Sequence, residues 1–237
     1  ANMVYAFSTP FKSIQYNKSP GALSNNVVSS FAEDQLQNLW IGTEGGGLNY
    51  WDRKSNHFKV YKNQPNNPVS LSSNLVKTLF LDNEKILWVG THGGGLNKLD
   101  TRKGIIERII PTPQSKFNIV DVSCVWKDSH GRTWVGTEQN GLLLWDNTSK
   151  QYLNYLRNPA SPFILEGAYV KMVHEDRQGN IWVGTESGLY LLNHGSDNFL
   201  EIIPKNAGEE NEITINCITE DGKGNIWLGS VSNGIYV

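Results

Sequence analysis

Cysteine and methionine are scarce in this chain, two of each in 237 residues, the net charge is only −2, and no long apolar run interrupts the polar background. Each scarcity excludes something. With so few thiols the fold cannot be a disulfide scaffold, so a hydrophobic core must hold it together. A membrane-crossing helix needs roughly 20 consecutive apolar residues, and no segment supplies them, so membrane contact by this chain is not expected. The 21 basic residues are offset by 23 acidic ones and form no stripe that would serve a phosphate backbone, so nucleic acid is not an expected partner. The opening run ANMVYAFSTP also lacks the basic, apolar and small-residue succession of a signal peptide. Glycine, tryptophan and tyrosine are what the chain has in quantity, a mixture suited to short strands joined by many turns.

Residues 39–49 read LWIGTEGGGLN and residues 87–97 read LWVGTHGGGLN, and the same phrase returns in altered form three more times. Anchored on its tryptophan, the repeat places Trp40, Trp88, Trp134, Trp182 and Trp227 at intervals of 48, 46, 48 and 45 residues. An aspartate stands six positions before each one (Asp34, Asp82, Asp128, Asp176, Asp221), and a β-branched residue six before that (Val28, Val76, Val122, Val170, Ile215). Alternating apolar positions after the β-branched residue mark a first strand, and polar turns such as DSHGR and DRQGN lead into a second. A glycine-bearing bend and two further strands complete the unit, the fourth strands falling near 58–61, 106–109, 152–155 and 199–202. Four antiparallel strands in about 45 residues describe a propeller blade.

The expected fold is therefore an all-β propeller of five four-stranded antiparallel blades, with units at 24–72, 73–119, 120–166, 167–212, and 213–237 plus 1–23. The last unit stops in its third strand, and FKSIQYNKSPGALSNN at 11–26 resembles the fourth strand and connection at 58–74. Residues 11–17 are accordingly expected to supply the missing outer strand and close the ring, which would remove free sheet edges. The rival is an open arc of a larger ring.

The five repeat tryptophans are expected to pack between blades, and Trp51 and Trp145 to pack within third strands, although aromatic rings also suit the apolar faces of sugars. The repeat aspartates read as turn caps, since short hairpins offer too few oxygens for calcium. Cys124 and Cys217 share one repeat position two blades apart, and are expected as free, packed thiols rather than a bridge. The slot after each Gly-Thr (Gly-Ser in the fifth unit) breaks the repeat, carrying Glu44, His92, Glu138, Glu186 and Val231. Glu44, His92, Glu138 and Glu186 either converge on a hydroxylated ligand or are solvated turn residues. Asn26, Asn74, Tyr169 and Asn216, beside the starts of the innermost strands, are further candidates for the central channel. Catalytic residues, metal ligands and cofactors are not expected. DSHGRTW approaches the Asp-box of sialidases with one residue too many, which leaves a sialidase-like glycosidase as an alternative.

The pattern ED..GN.WIGT..GGL...D, the connection NNPVSLSSN and the period resemble the two-component regulator propeller repeats in the sensor halves of bacterial hybrid histidine kinases. That resemblance implies a non-catalytic periplasmic sensor module that binds a carbohydrate-type ligand such as an oligosaccharide, or relays its binding to a transmembrane kinase. A homodimer formed through the parent receptor is implied as well. A protein-interaction scaffold is the other non-catalytic reading.

Overall fold

The structure is a computed structural model that describes residues 13–17, 19, 21–82, 85–111, 119–154, 165, 169–196, 198–202 and 213–237. Among the described residues nineteen strands form five antiparallel sheets in strict chain order. The first blade comprises β1 (Val28–Glu33), β2 (Leu39–Thr43), β3 (Gly47–Asp52) and β4 (His57–Tyr61). The second comprises β5 (Val76–Asp82), β6 (Ile86–Thr91), β7 (Gly95–Asp100) and β8 (Ile105–Arg108). The third follows with β9 (Val122–Lys127), β10 (Thr133–Thr137), β11 (Leu142–Asp146) and β12 (Gln151–Asn154), and the fourth with β13 (Val170–Glu175), β14 (Ile181–Thr185), β15 (Leu189–Leu192) and β16 (Phe199–Ile202). The fifth has three strands, β17 (Ile215–Glu220), β18 (Ile226–Ser230) and β19 (Ile235–Tyr236). Tyr155, expected in the fourth strand of blade three, lies outside the described residues.

Turn chemistry explains much of the repeat. Asp34 Oδ1 accepts the amides of Leu36 and Asn38 at 2.9 and 2.8 Å, and Asp128, Asp176 and Asp221 cap their hairpins in the same way. The other carboxylate oxygen of the last three accepts the repeat tryptophan's indole N–H, at 2.8 to 2.9 Å. At the opposite end of each blade, the hydroxyls of Thr43, Thr91, Thr137, Thr185 and Ser230 donate to the carbonyls of Gly47, Gly95, Gly141, Gly188 and Gly234 and close the bend into the third strand. A hydroxyl is what the bend needs, so serine serves in the fifth blade.

The core lies between blades. The glycine of each W-x-G-T leaves a socket into which the first residue of the next inner strand fits: Val76 on Gly42, Val122 on Gly90, Val170 on Gly136 and Ile215 on Gly184. These four residues are buried, and each such side chain contributes about 1.5–3 kcal/mol by leaving water. Around them pack Trp40, Leu48 and Leu71 at the first junction, Trp88 and Leu96 at the second, Trp134 and Leu142 at the third, and Leu189 at the fourth. Trp51 stacks on Phe58 and Trp145 packs on Tyr152, both as expected for packing residues.

The ends depart from expectation. β1 packs on β5, β5 on β9, β9 on β13 and β13 on β17, and no comparable contact joins β17 to β1 among the described residues. Residues 13–17 lie with blade one: Tyr16 forms a parallel bridge with Leu23, and Ile14 packs against Leu23, Ile41 and Phe58. Asn63 bridges Leu71 in the same manner, so this segment does the work of an interblade connection leading into its own blade. Residues 11 and 12 lie outside the described residues. Among the described residues β19 pairs only with β18, and the expected closure of the five blades into a ring is not seen. The consequence falls on the end residues. Val28 is exposed, Phe31 is 62% exposed, and Trp227 is 40% exposed rather than core. Cys124 is buried beneath Val170 of the next blade, whereas Cys217 on blade five has no such inner strand over it among the described residues and is exposed; both are free thiols.

Candidate functional site

Each inner strand carries a register shift after its first residue, at 28/30, 76/78, 122/124, 170/172 and 215/217. A bulge of this kind re-aims one side chain per strand. The re-aimed residues are Ser29, Lys77, Ser123, Lys171 and Asn216. Ser29 and Ser123 donate to the carbonyls of Val76 and Val170 and seal the next junction. Lys77 instead donates to Glu44 Oε1 at 2.9 Å, and that bond is the main cause of its raised pKa.

The slot residues lie at the same end of the arc. The backbone N–H of each donates to the carbonyl just before the inner strand of its own blade: Glu44 to Val27, His92 to Leu75, Glu138 to Asp121, Glu186 to Tyr169 and Val231 to Thr214. Slot, pre-strand and bulge positions thus form one surface. On it His92 Nδ1 lies 2.8 Å from Asp121 Oδ1 and 3.9 Å from Glu138 Oε1. Tyr169 is half-buried; burial and then the nearby Glu138 charge raise its pKa, and the Lys171 ammonium sits 4.4 Å from its ring centroid. Glu186 Oε1 accepts the Tyr169 amide at 3.4 Å. Four of the sequence candidates (Glu44, His92, Glu138, Glu186) and Tyr169 therefore meet in a continuous polar face spanning the first four blades.

Two other candidates have structural work. Asn26 Oδ1 accepts the Tyr16 amide at 2.6 Å, and Asn74 Oδ1 accepts the Asn63 amide at 2.7 Å, each fastening a connection. The Asn74 carbonyl also receives the amides of Gly45 and Gly47 from the preceding blade. Both asparagines hold backbone together. Asn216 is the exposed bulge residue of the end blade. Sequence reasoning missed Asp121, Lys77 and Lys171. Asp121 was within reach, since aligned copies have Val27, Leu75, Tyr169 and Thr214 at that place.

Two cavities lie at the opposite end, among the aspartate-capped turns. One of about 500 Å³ is lined by His130, Arg132, Ile181, Leu192 and His194 between blades three and four. Another of about 310 Å³ is lined by Asp34, Trp40, Tyr50, Tyr61 and Arg102 between blades one and two. Each belongs to a single valley between neighbouring blades. The slot face gathers charged and hydrogen-bonding groups from four blades.

The arrangement has relatives. The chain is similar to the extracellular domain of BT3049 from B. thetaiotaomicron, described as a hybrid two component system, with 22% identity and a TM-score of 0.55 over 93% of this chain and 34% of that one. It is similar to the extracellular domain of BT4673 from the same organism, described as a one component system, with 22% identity and a TM-score of 0.70 over 90% of this chain and 28% of that one. Virginiamycin B lyase from Staphylococcus aureus shares the fold at 14% identity and a TM-score of 0.60, over 89% of this chain and 69% of that one. The chain thus spans about a third of the length of the two extracellular domains. No curated protein matches it. Residues 22–45, 70–93, 164–187 and 208–232 match the two component regulator propeller, and β9 to β12 between them repeat the same strand order, bulge and bend, so the chain is built on two component regulator propeller repeats.

Proposed function

We propose that the chain is a non-catalytic ligand-sensing module of the periplasmic part of a hybrid two-component receptor, binding a carbohydrate-type ligand at the slot face. The observation that carries the reading is the convergence of Glu44, Lys77, His92, Asp121, Glu138, Tyr169 and Glu186 on one end of four successive blades. Carboxylates, an ammonium and a phenol together offer the donors and acceptors that a polyhydroxylated ligand requires, and Tyr169 adds an aromatic edge. A site built across blades also suits signalling, because a ligand touching several blades changes how they are held relative to one another. Relay to a transmembrane kinase, through a receptor dimer, is part of the same proposal, and the match to two component regulator propeller repeats supports it.

The glycosidase alternative has less to support it at the slot face. Such an enzyme places two carboxyl groups on either side of the scissile bond. Here Asp121 and Glu138 both turn toward one imidazole. A scaffold for protein contacts is the second reading, favoured by the exposed Phe31 and Ile235 on the end blades.

A thermal-shift screen of the purified chain against oligosaccharides tests the proposal. A ligand at about 100 times its Kd stabilises by about 2.7 kcal/mol, which is a rise of roughly 5–10 °C for a chain of this size. The shift should vanish with Tyr169→Ala and weaken with Glu44→Gln. Release of a cleaved product would overturn the non-catalytic reading, and a shift that survives both substitutions would move the site elsewhere.

A further inference from the structure

Three side chains with metal-ligand chemistry meet at one blade junction, the one such group among the described residues. His92 comes from the bend after β6, Asp121 from the residue before β9 and Glu138 from the bend after β10. We propose that His92, Asp121 and Glu138 bind a divalent transition-metal ion of the zinc class, clipping the second blade to the third. The proposal does not depend on the carbohydrate reading.

The geometry fits one ion. Donor atoms of the three residues all lie within 4.8 Å of one another, with His92 Nδ1 2.8 Å from Asp121 Oδ1 and 3.9 Å from Glu138 Oε1. Ligands at about 2.0–2.2 Å from zinc stand roughly 3.4 Å apart in a tetrahedron, so shifts of about 0.5 Å about the imidazole and at most about 1.4 Å between the carboxylates admit the ion. One imidazole with two carboxylates is a donor set for zinc and its neighbours rather than for magnesium or calcium, which take oxygen ligands throughout. Three protein ligands leave a coordination position for water or for a donor from a bound molecule. The His92 side chain is 46% exposed, so that position opens outward.

Comparison of junctions sharpens the case. At the equivalent place one blade earlier, Glu44 has Lys77 as its counter-ion, and one blade later Glu186 accepts a backbone amide. Only between blades two and three do both the slot and the pre-strand position depart from the other copies, with His92 facing Asp121 where other blades have Val27, Leu75, Tyr169 or Thr214. Asp121 is also fixed in place, because its Oδ1 accepts the Gly93 amide at 2.8 Å across the junction. A second pair of imidazoles, His130 and His194 with ring centroids 5.3 Å apart at the other end, gains no third ligand among the described residues.

Titration of the purified chain with Zn²⁺ in competition with a chromogenic chelator tests the proposal, with the histidine ring signals followed by NMR. One equivalent should bind, shifting one imidazole of the five. His92→Ala, Asp121→Asn and Glu138→Gln should each weaken binding by at least about tenfold, the loss that even outer-shell changes cause. Asparagine at 121 keeps the acceptor for Gly93, and unfolding curves establish that each variant is folded. His130→Ala/His194→Ala should leave binding unchanged. Zinc binding that survives His92→Ala, that disappears with the His130/His194 variant, or that is weaker than about 1 mM in the unmodified chain overturns the proposal.

Discussion

Gly90→Ala is the sharpest test of how the blades are joined. A Cβ at this position would lie 2.5 Å from Thr78 Cγ2 and 2.7 Å from Val122 Cγ1, contacts that a strand must shift to relieve. Overpacking of this kind costs about 1–3 kcal/mol, and the lower freedom of alanine in the unfolded chain returns about 0.4–1 kcal/mol, leaving a net loss of roughly 1–2 kcal/mol. Val122→Ala, at a side chain 1% exposed, removes two methyl groups and leaves a cavity, for a loss of about 2–3 kcal/mol. In the double variant the new methyl enters the space that the old ones left. The combined loss should therefore fall short of the sum by about 1 kcal/mol, whereas Gly90→Ala with Val170→Ala, one junction away, should add within about 0.5 kcal/mol. Urea unfolding followed by circular dichroism and tryptophan fluorescence gives each term. Additivity of Gly90→Ala with Val122→Ala would refute the knob-and-socket account of the junction.

Two further outcomes are expected. Burial pushes the Cys124 thiol up to about 12, while Cys217 lies open on the end blade. A colorimetric thiol reagent should therefore titrate one cysteine in the native chain and two after unfolding, with Cys217→Ser abolishing the native reaction; two native equivalents would contradict the burial of Cys124. The Trp227 indole and the Asn225 amides hold the Asp221 carboxyl below its usual 3.8, and at Asp176 bonds from Trp182 and Asn180 outweigh burial, which alone would raise it. Carboxyls depressed on folding stabilise fully above their unfolded pKa and lose that contribution as pH falls through the folded value. Melting temperature should thus fall below about pH 4, and less steeply in Asp176→Asn; an unchanged slope in that variant would remove Asp176 from the account.

Most of the blade architecture was legible because it is local. The Asp34-type cap, the Thr43-type bend and the alternation of each first strand are all settled within a dozen residues. The slot was legible for the same reason, and Glu44, His92, Glu138 and Glu186 do share one face. Lys77 and Lys171 were hidden by the bulges, since a strict two-residue alternation assigns a bulge residue to the wrong side. The fastening role of Asn74 was not legible because it depends on where Asn63 and Gly47 come to lie, one in the connection and one in the preceding bend. The exposure of Trp227 and Cys217 follows from what covers them, and no feature of the fifth repeat itself carries that information.

The glycine sockets have a consequence for counting. Every junction uses one β-branched knob and one socket, and in any arc that has not closed one knob and one socket remain unfilled, here Val28 and Gly229 among the described residues. The association is head-to-tail, so it carries a direction and no inherent stopping point. Blade number is then a property of curvature alone: copies can be gained or lost without altering a single contact rule, and the ring ends where its turning angle brings the last socket round to the first knob.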